Sequence, residues 1–201
     1  FTPWKKDRIL VDPFCGSGTL PIEAAMLAAN MAPGMKRHFL AEKWENLIPI
    51  RHFQDAKEEA ADLVDLSVET DIQGYDIDGE IIKAARANAK MAGVDHLIHF
   101  QQRPVSELSH PKKYGFVITN PPYGERLEEK KNLPALYKEM GDAFRRLDSW
   151  SEYVITGYED AERCIGKKAA KNRKIYNGMM KTYFYQFLGP RPPKRKQEEN
   201  A

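Results

Sequence analysis

Cysteine is nearly absent from this chain: two residues in 201, Cys15 and Cys164, lie far apart and form no CxxC pair. That argues against a disulfide framework and a cysteine-built zinc site, and it suits a reducing cytoplasm. Long apolar runs are missing too. None approaches the ~18 residues that span a bilayer, and no stretch reads as a signal peptide, so no membrane partner is expected. No internal repeat is visible. Acid is absent from residues 163–196, which hold eleven Lys/Arg, whereas residues 1–162 hold 20 Lys/Arg against 27 Asp/Glu. The net charge of +2 therefore conceals a basic C-terminal region, an electrostatic footprint suited to a polyanion such as a nucleic acid. Tyr176, Tyr183, Tyr185 and Phe187 interleave with those cations, and half of them are expected on the buried face of a strand.

What is present fits one globular domain: 42% hydrophobic residues and enough length for a sizeable core. Short runs at residues 8–11, 72–77, 97–100, 114–120 and 153–156 read as strands. Helical periodicity separates them at residues 19–30, 55–66, 78–92 and 133–147, with short helical turns from Glu159. Ser17 or Thr19 suits the first N-cap, Pro21 falls in the first turn, Asp78 caps the third helix and Gly93 stops it. Trp4 and Trp44 are expected to anchor the linker around Ala32-Pro33-Gly34. Two last strands, near residues 173–176 and 181–188, join at Asn177-Gly178, a hairpin signal. Strands alternating with helices predict an α/β fold: a seven-stranded, mostly parallel sheet with helices on both faces and a C-terminal antiparallel hairpin. Residues 1–189 are read as the domain and residues 190–201 as a disordered basic and polar tail. The opening Phe1-Thr2-Pro3-Trp4 leads to the expectation of a fragment of a longer protein.

Three strand ends carry chemistry. The first bears Asp12-Pro13-Phe14-Cys15-Gly16-Ser17-Gly18-Thr19, where glycines let a ligand approach the backbone and a helix N-terminus offers free N–H groups. No Lys-Ser/Thr follows and the full GxGxxG is not present, so this is neither a P-loop nor a complete dinucleotide fingerprint; alone it reads equally as a tight βα turn. The second ends in Asp76, a carboxylate placed to take both hydroxyls of a ribose, with Ile77 offering a flat apolar contact to an adenine. The fourth ends in Asn120-Pro121-Pro122-Tyr123. The prolines remove two backbone donors, the amide accepts a hydrogen bond and the ring can stack on a flat molecule. In an open α/β sheet these ends converge on one crevice.

With these motifs the chain resembles the class I S-adenosylmethionine-dependent methyltransferases. The resemblance implies a Rossmann-like fold, the loop from Asp12 through Cys15, Gly16, Gly18 and Thr19 as the cofactor loop, and Asp76 as the ribose acid. It also implies Asn120-Pro121-Pro122-Tyr123 as the catalytic motif of members that methylate amines. The longer run Asn120 to Arg126, with residues 21–25 and Ala32-Pro33-Gly34, is similar to the guanine-N2 methyltransferases of large-subunit ribosomal RNA, a group also described as N6-adenine DNA methylases. Those relatives carry an N-terminal RNA-binding THUMP domain, which is not in this sequence. Many also hold the adenine amine with an acid after the third strand. Here that stretch reads Gln101-Gln102-Arg103-Pro104-Val105, which shifts the expected adenine contact to backbone near Val105.

By that resemblance S-adenosylmethionine is the cofactor and large-subunit rRNA the partner. Asn120 Oδ1 and the Pro121 carbonyl would accept the hydrogens of the attacking amine, and Tyr123 would stack on the base. Arg126 would contact phosphate or base, or pair with Glu125, Glu128 or Glu129. The rival readings are an N6-adenine DNA methyltransferase, a protein glutamine methyltransferase and a non-catalytic RNA-binding module. Tyr158, Cys164 and the five histidines show no spacing for metal or acid–base work.

Overall fold

The computed structural model describes residues 2–124 and 127–193. Strands β1 (Leu10–Asp12), β2 (Ile72–Asp76), β3 (Ile98–Gln102), β4 (Phe116–Thr119), β5 (Ser151–Thr156), β6 (Lys171–Asn177) and β7 (Met180–Phe187) form one sheet in the order β3-β2-β1-β4-β5-β7-β6. β1 to β5 run parallel, and β7 lies antiparallel to both β5 and β6. This is the mostly parallel sheet with a terminal hairpin that the alternation of patterns predicts.

The side chains of the central strands alternate between two cores. Leu10, Phe116, Tyr153 and Phe184 enter the core on one face, and Val11, Val117, Val154 and Tyr185 enter the core on the other. The central strands β1 and β4 are covered on both faces and need almost no polar residues, whereas β3 keeps exposed His99, Gln101 and Gln102 and the edge strand β6 is mostly exposed. Helices α1 (Thr19–Ala28) and α3 (Gly79–Ala92) supply the first core through Ala25, Ala28, Ile82, Ala85 and Ala89. Helices α4 (Leu127–Arg145) and α5 (Ala161–Ile165) supply the second through Leu133, Tyr137, Met140, Phe144 and Ile165. α4 and α5 approach so closely that a Cβ at Gly141 would stand 2.1 Å from the Ile165 carbonyl oxygen. Packing continues to Gly189, whose N–H donates to Ser151 Oγ at 3.0 Å. Among the described residues no helix is long and apolar enough to cross a membrane.

Several boundaries differ from expectation. α2 spans Ile50–Asp62, five residues earlier than the amphipathic pattern begins, and it buries none of its side chains. With no core contact to select it, its apolar stripe fixes no boundary. Trp4 is buried and its indole donates to the Arg8 carbonyl at 2.7 Å, but Trp44 is 48% exposed and anchors nothing. α1 ends at Ala28, and its N-cap is Gly18, in the left-handed region at φ 90°, with no side-chain cap from Ser17 or Thr19. Asp78 does cap α3, accepting from the Glu80 N–H at 2.8 Å, and Gly93 closes it at φ 82°. The hairpin turn is Gly178-Met179, since Asn177 already pairs with Met180. A positive φ at Gly178 and none at Met179 gives the φ pattern of a II′ turn, whose twist matches the flanking strands. Of the predicted tail, residues 194–201 lie outside the described residues.

Candidate functional site

Strand order reverses between β1 and β4, where a chain going left through β2 and β3 meets one going right through β5. At such a switch point the loops leave in opposite directions and open a crevice at the carboxyl ends. The crevice here is a cleft of about 650 Å³ lined by Phe14, Gly16, Asp76, Ile77, the run Asn120 to Gly124, and Leu136.

Backbone hydrogen bonds hold its floor. The Cys15 N–H donates to the Tyr75 carbonyl at 2.8 Å, and the Gly18 N–H returns to the Cys15 carbonyl at 2.9 Å. Gly18 is required twice over: its φ is 90°, and a Cβ there would stand 3.1 to 3.2 Å from Phe100, Ala85 and Ile22. Gly16 faces the opposite condition, with open space where its Cβ would be, so the loop backbone is bare toward the cleft. Asp76 organises this end of the site. Its Oδ2 accepts from the Gly16 N–H at 3.2 Å and its Oδ1 from the Asp78 N–H at 3.0 Å, so one carboxylate braces both loops. Just beyond β3 the Arg103 N–H donates to the Asp76 carbonyl at 2.8 Å, and at its end the Gln102 amide donates to the Ile77 carbonyl at 3.0 Å. Ile77 itself stands 72% exposed in the cleft wall.

The opposite wall is the corner after β4. Asn120 is exposed, Pro121 buried and Gly124 turns the chain at φ 78°. Behind the corner runs a relay with one direction of donation. The Tyr158 N–H donates to Thr156 Oγ1 at 3.0 Å, Thr156 and the Tyr137 hydroxyl meet at 2.5 Å, and Tyr137 donates to the Pro122 carbonyl at 3.0 Å. Burial raises the Tyr137 pKa, which keeps the phenol a donor at neutral pH. With the Pro122 carbonyl engaged, the proline corner is held from behind. Tyr123 lies over Gly157, where a Cβ would approach its ring to 3.3 Å.

Asp12 ties the two walls together from below. Its Oδ1 accepts from Thr119 Oγ1 at 2.6 Å and from the Phe14 N–H at 3.1 Å, linking β1 to the residue before Asn120. Burial pushes its carboxyl up to about 7, with the nearby Asp76 charge adding to the rise and the Thr119 and Phe14 hydrogen bonds opposing it. Between about pH 4 and 7 the folded chain therefore holds a proton that the unfolded chain has released, and this group lowers stability as pH rises through that window. Asp12→Asn removes the titration. Stability of the variant relative to the parent is expected to climb from pH 4.5 to 7 by on the order of a few kcal/mol and to level off above 7. Denaturant unfolding across that range checks this, and a difference independent of pH would refute the assignment.

Of the residues singled out in the sequence, the structure gathers Gly16, Asp76, Ile77, Asn120, Pro121, Pro122 and Tyr123 around one cleft. Asp12, Cys15 and Gly18 support it from beneath without lining it, and Thr19 is exposed at the start of α1. Burial raises the Cys15 pKa, and Asp12 and Asp76 raise it further, so the thiol stays protonated. Val105 is buried in the second core and does not line the cleft. Glu125 and Arg126 lie outside the described residues, as do the side chains of Glu128 and Glu129. Phe14, Leu136, Tyr137 and Thr156 went unmarked in the sequence. Phe14 sits inside the glycine motif and could have been noted, whereas the others look like ordinary helix and strand positions.

Residues 1–186 match the RMKL-like methyltransferase domain. The Bacillus subtilis (strain 168) protein "Putative RNA methyltransferase YpsC" is 44% identical over 200 residues, covering 100% of this chain and 52% of its own length. "Ribosomal RNA large subunit methyltransferase K/L" of Marinobacter nauticus is 38% identical over 178 residues, which is 85% of this chain and 24% of that protein. Among solved structures, SMU.472, described as "a putative methyltransferase complexed with SAH", is 40% identical with a TM-score of 0.89 over 96% of this chain and 51% of its own. The chain thus spans about half the length of YpsC and of SMU.472.

Proposed function

The chain belongs to the RMKL-like methyltransferase domain family, and we propose that it carries the methyl-transfer site of an S-adenosylmethionine-dependent enzyme acting on an exocyclic amine in RNA, with guanine N2 of large-subunit rRNA as the target. The observation that carries this reading is the convergence of Gly16, Asp76 and Asn120 to Tyr123 on one cleft. The names of YpsC and of the K/L enzymes support RNA, and the SAH bound to SMU.472 supports the cofactor. Residues 1–189 form the domain in this reading.

The residues present fit such a cofactor. Gly16 offers bare backbone, Asp76 a carboxylate with lone pairs beyond the two it commits, and Ile77 an exposed apolar surface for the adenine. When bound, the cofactor supplies an electrophilic methyl group on a sulfonium. The protein's part is to make a poor nucleophile good. An exocyclic amine shares its lone pair with the ring. Accepting its two N–H hydrogens at Asn120 Oδ1 and the Pro121 carbonyl holds the lone pair out of conjugation and aims it. The Tyr137 relay fixes the backbone that carries those acceptors. Holding two reactants in attack geometry then supplies much of the rate. Tyr123 stacks on the base, a contact worth ~1–3 kcal/mol. A paired base must leave its stack to reach the corner.

Label transfer from radioactive S-adenosylmethionine to deproteinised rRNA and to DNA, with the full-length protein and nucleoside identification, tests the proposal. N2-methylguanosine in rRNA is the expected product. Label confined to N6-methyladenine in DNA would replace this reading with the DNA-methylase one, and no transfer to either would favour a binding module.

A further inference from the structure

The β6–β7 hairpin carries charge and apolar surface that the cleft chemistry leaves unexplained. β6 is an edge strand, and lysines on an edge are commonly a guard against pairing with other chains. That purpose needs no exposed apolar residues, yet Tyr176 is 61% exposed and Met179, at the apex of the turn, is fully exposed. In the antiparallel register Lys174 opposes Tyr183 and Tyr176 opposes Lys181, so lysines and tyrosines alternate as a checkerboard on one face. Each lysine lies over a ring of its own strand: Lys174 Nζ is 5.0 Å from the Tyr176 centroid and Lys181 Nζ 4.9 Å from that of Tyr183. Rings interleaved with cations suit a nucleic-acid strand, stacking its bases and neutralising its phosphates. The hairpin also reaches the amine corner. Met180 and Lys181 share a hollow of about 370 Å³ with Tyr123, Gly124 and Tyr158, on the side of the corner served by β7 and α4.

We propose that this hairpin opens the RNA: Met179 enters the base stack in the place of the nucleotide presented to Asn120, while Lys174, Tyr176 and Lys181 hold the adjoining strand. The inference rests on the function proposed above and adds the element that displaces the target. Met179 is suited to the task because its side chain is flexible and apolar, and because a two-residue turn places it at the front of a two-stranded ribbon. Inserting an apolar wedge offsets the stacking that a base gives up when it leaves the helix. An unpaired target has no such loss to offset.

The test uses the full-length protein and two synthetic RNAs carrying the nucleotide that the label-transfer assay identifies, one with it paired in a stem and one with it unpaired. Met179→Ala is expected to lose about tenfold more kcat/KM on the paired RNA than on the unpaired one, and Met179→Leu to recover most of that difference. Thermal melting of the variants should match the parent, since the side chain touches no core. In a separate arm, Lys174→Ala with Lys181→Ala should lower the slope of log affinity against log salt by about 1.4, roughly 0.7 for each phosphate of a single-stranded RNA that is no longer neutralised. Equal losses on the two RNAs, or none on either, overturn the wedge. An unchanged salt slope overturns the strand-holding role. If the parent protein methylates neither RNA nor DNA, the proposed function fails and the wedge falls with it. If only DNA is labelled, the RNA-opening role is refuted while the methyl-transfer site stands.

Discussion

Replacing Asn120 with alanine is expected to cut methyl transfer by on the order of 100-fold or more while changing cofactor affinity by less than about twofold. The size is what deletion of one preorganised hydrogen bond to a reacting group costs. The asymmetry follows from place. Asn120 stands at the end of β4 on the wall opposite Asp76, and none of the hydrogen bonds among the described residues engages its amide. Its backbone is followed by buried Pro121 and held by the Tyr137 bond to the Pro122 carbonyl, so shortening the side chain leaves the corner standing. Single-turnover label transfer measures the first quantity and calorimetry with S-adenosylmethionine the second. Parallel loss of both would make Asn120 a structural residue and remove the amine grip from the mechanism.

Local chemistry made much of this fold legible. β1 and β4 each present an apolar run ended by a polar or glycine-rich corner, and burial on both faces is what makes those runs continuous. Asp78 and Gly93 could be placed because a cap and a left-handed stop depend on one residue and its neighbours. Where the determinant is distant, the sequence was silent. Nothing near Tyr137 says that its hydroxyl meets Thr156, nineteen residues on, and the Pro122 carbonyl, fifteen back. The Gln102 bond to Ile77 depends on the pairing of β2 with β3, which brings Asp76 opposite Gln102. The Gly178-Met179 turn differs by one residue from the Asn-Gly signal because register, set by the buried side chains of β7, overrides the local turn preference. Three strand-end motifs could be read from their own residues; the relay that steadies them could not, since it exists only once α4 packs against β5 and the proline corner.

Changing Asp76 to asparagine is expected to weaken S-adenosylmethionine binding by about 100-fold and to spare kcat at saturating cofactor to within about tenfold. Two losses combine. On the proposed reading the charged acceptor for the ribose hydroxyls disappears, and hydrogen bonds to an ionised group are worth about 1.5–3 kcal/mol each. Inside the protein, Asp76 receives N–H groups on both oxygens, from Gly16 and from Asp78. An asparagine amide can accept at only one of them, so its NH2 must face one of those donors or turn away and release a loop. Either course disturbs the backbone of the cofactor wall while leaving the Asn120 corner, tied through Asp12 and Tyr137, in place. The two substitutions should therefore separate cleanly, Asp76→Asn in cofactor KM and Asn120→Ala in turnover. An Asp76→Asn enzyme with unchanged cofactor affinity and a collapsed kcat would place the ribose contact elsewhere and break the assignment of this wall to the cofactor.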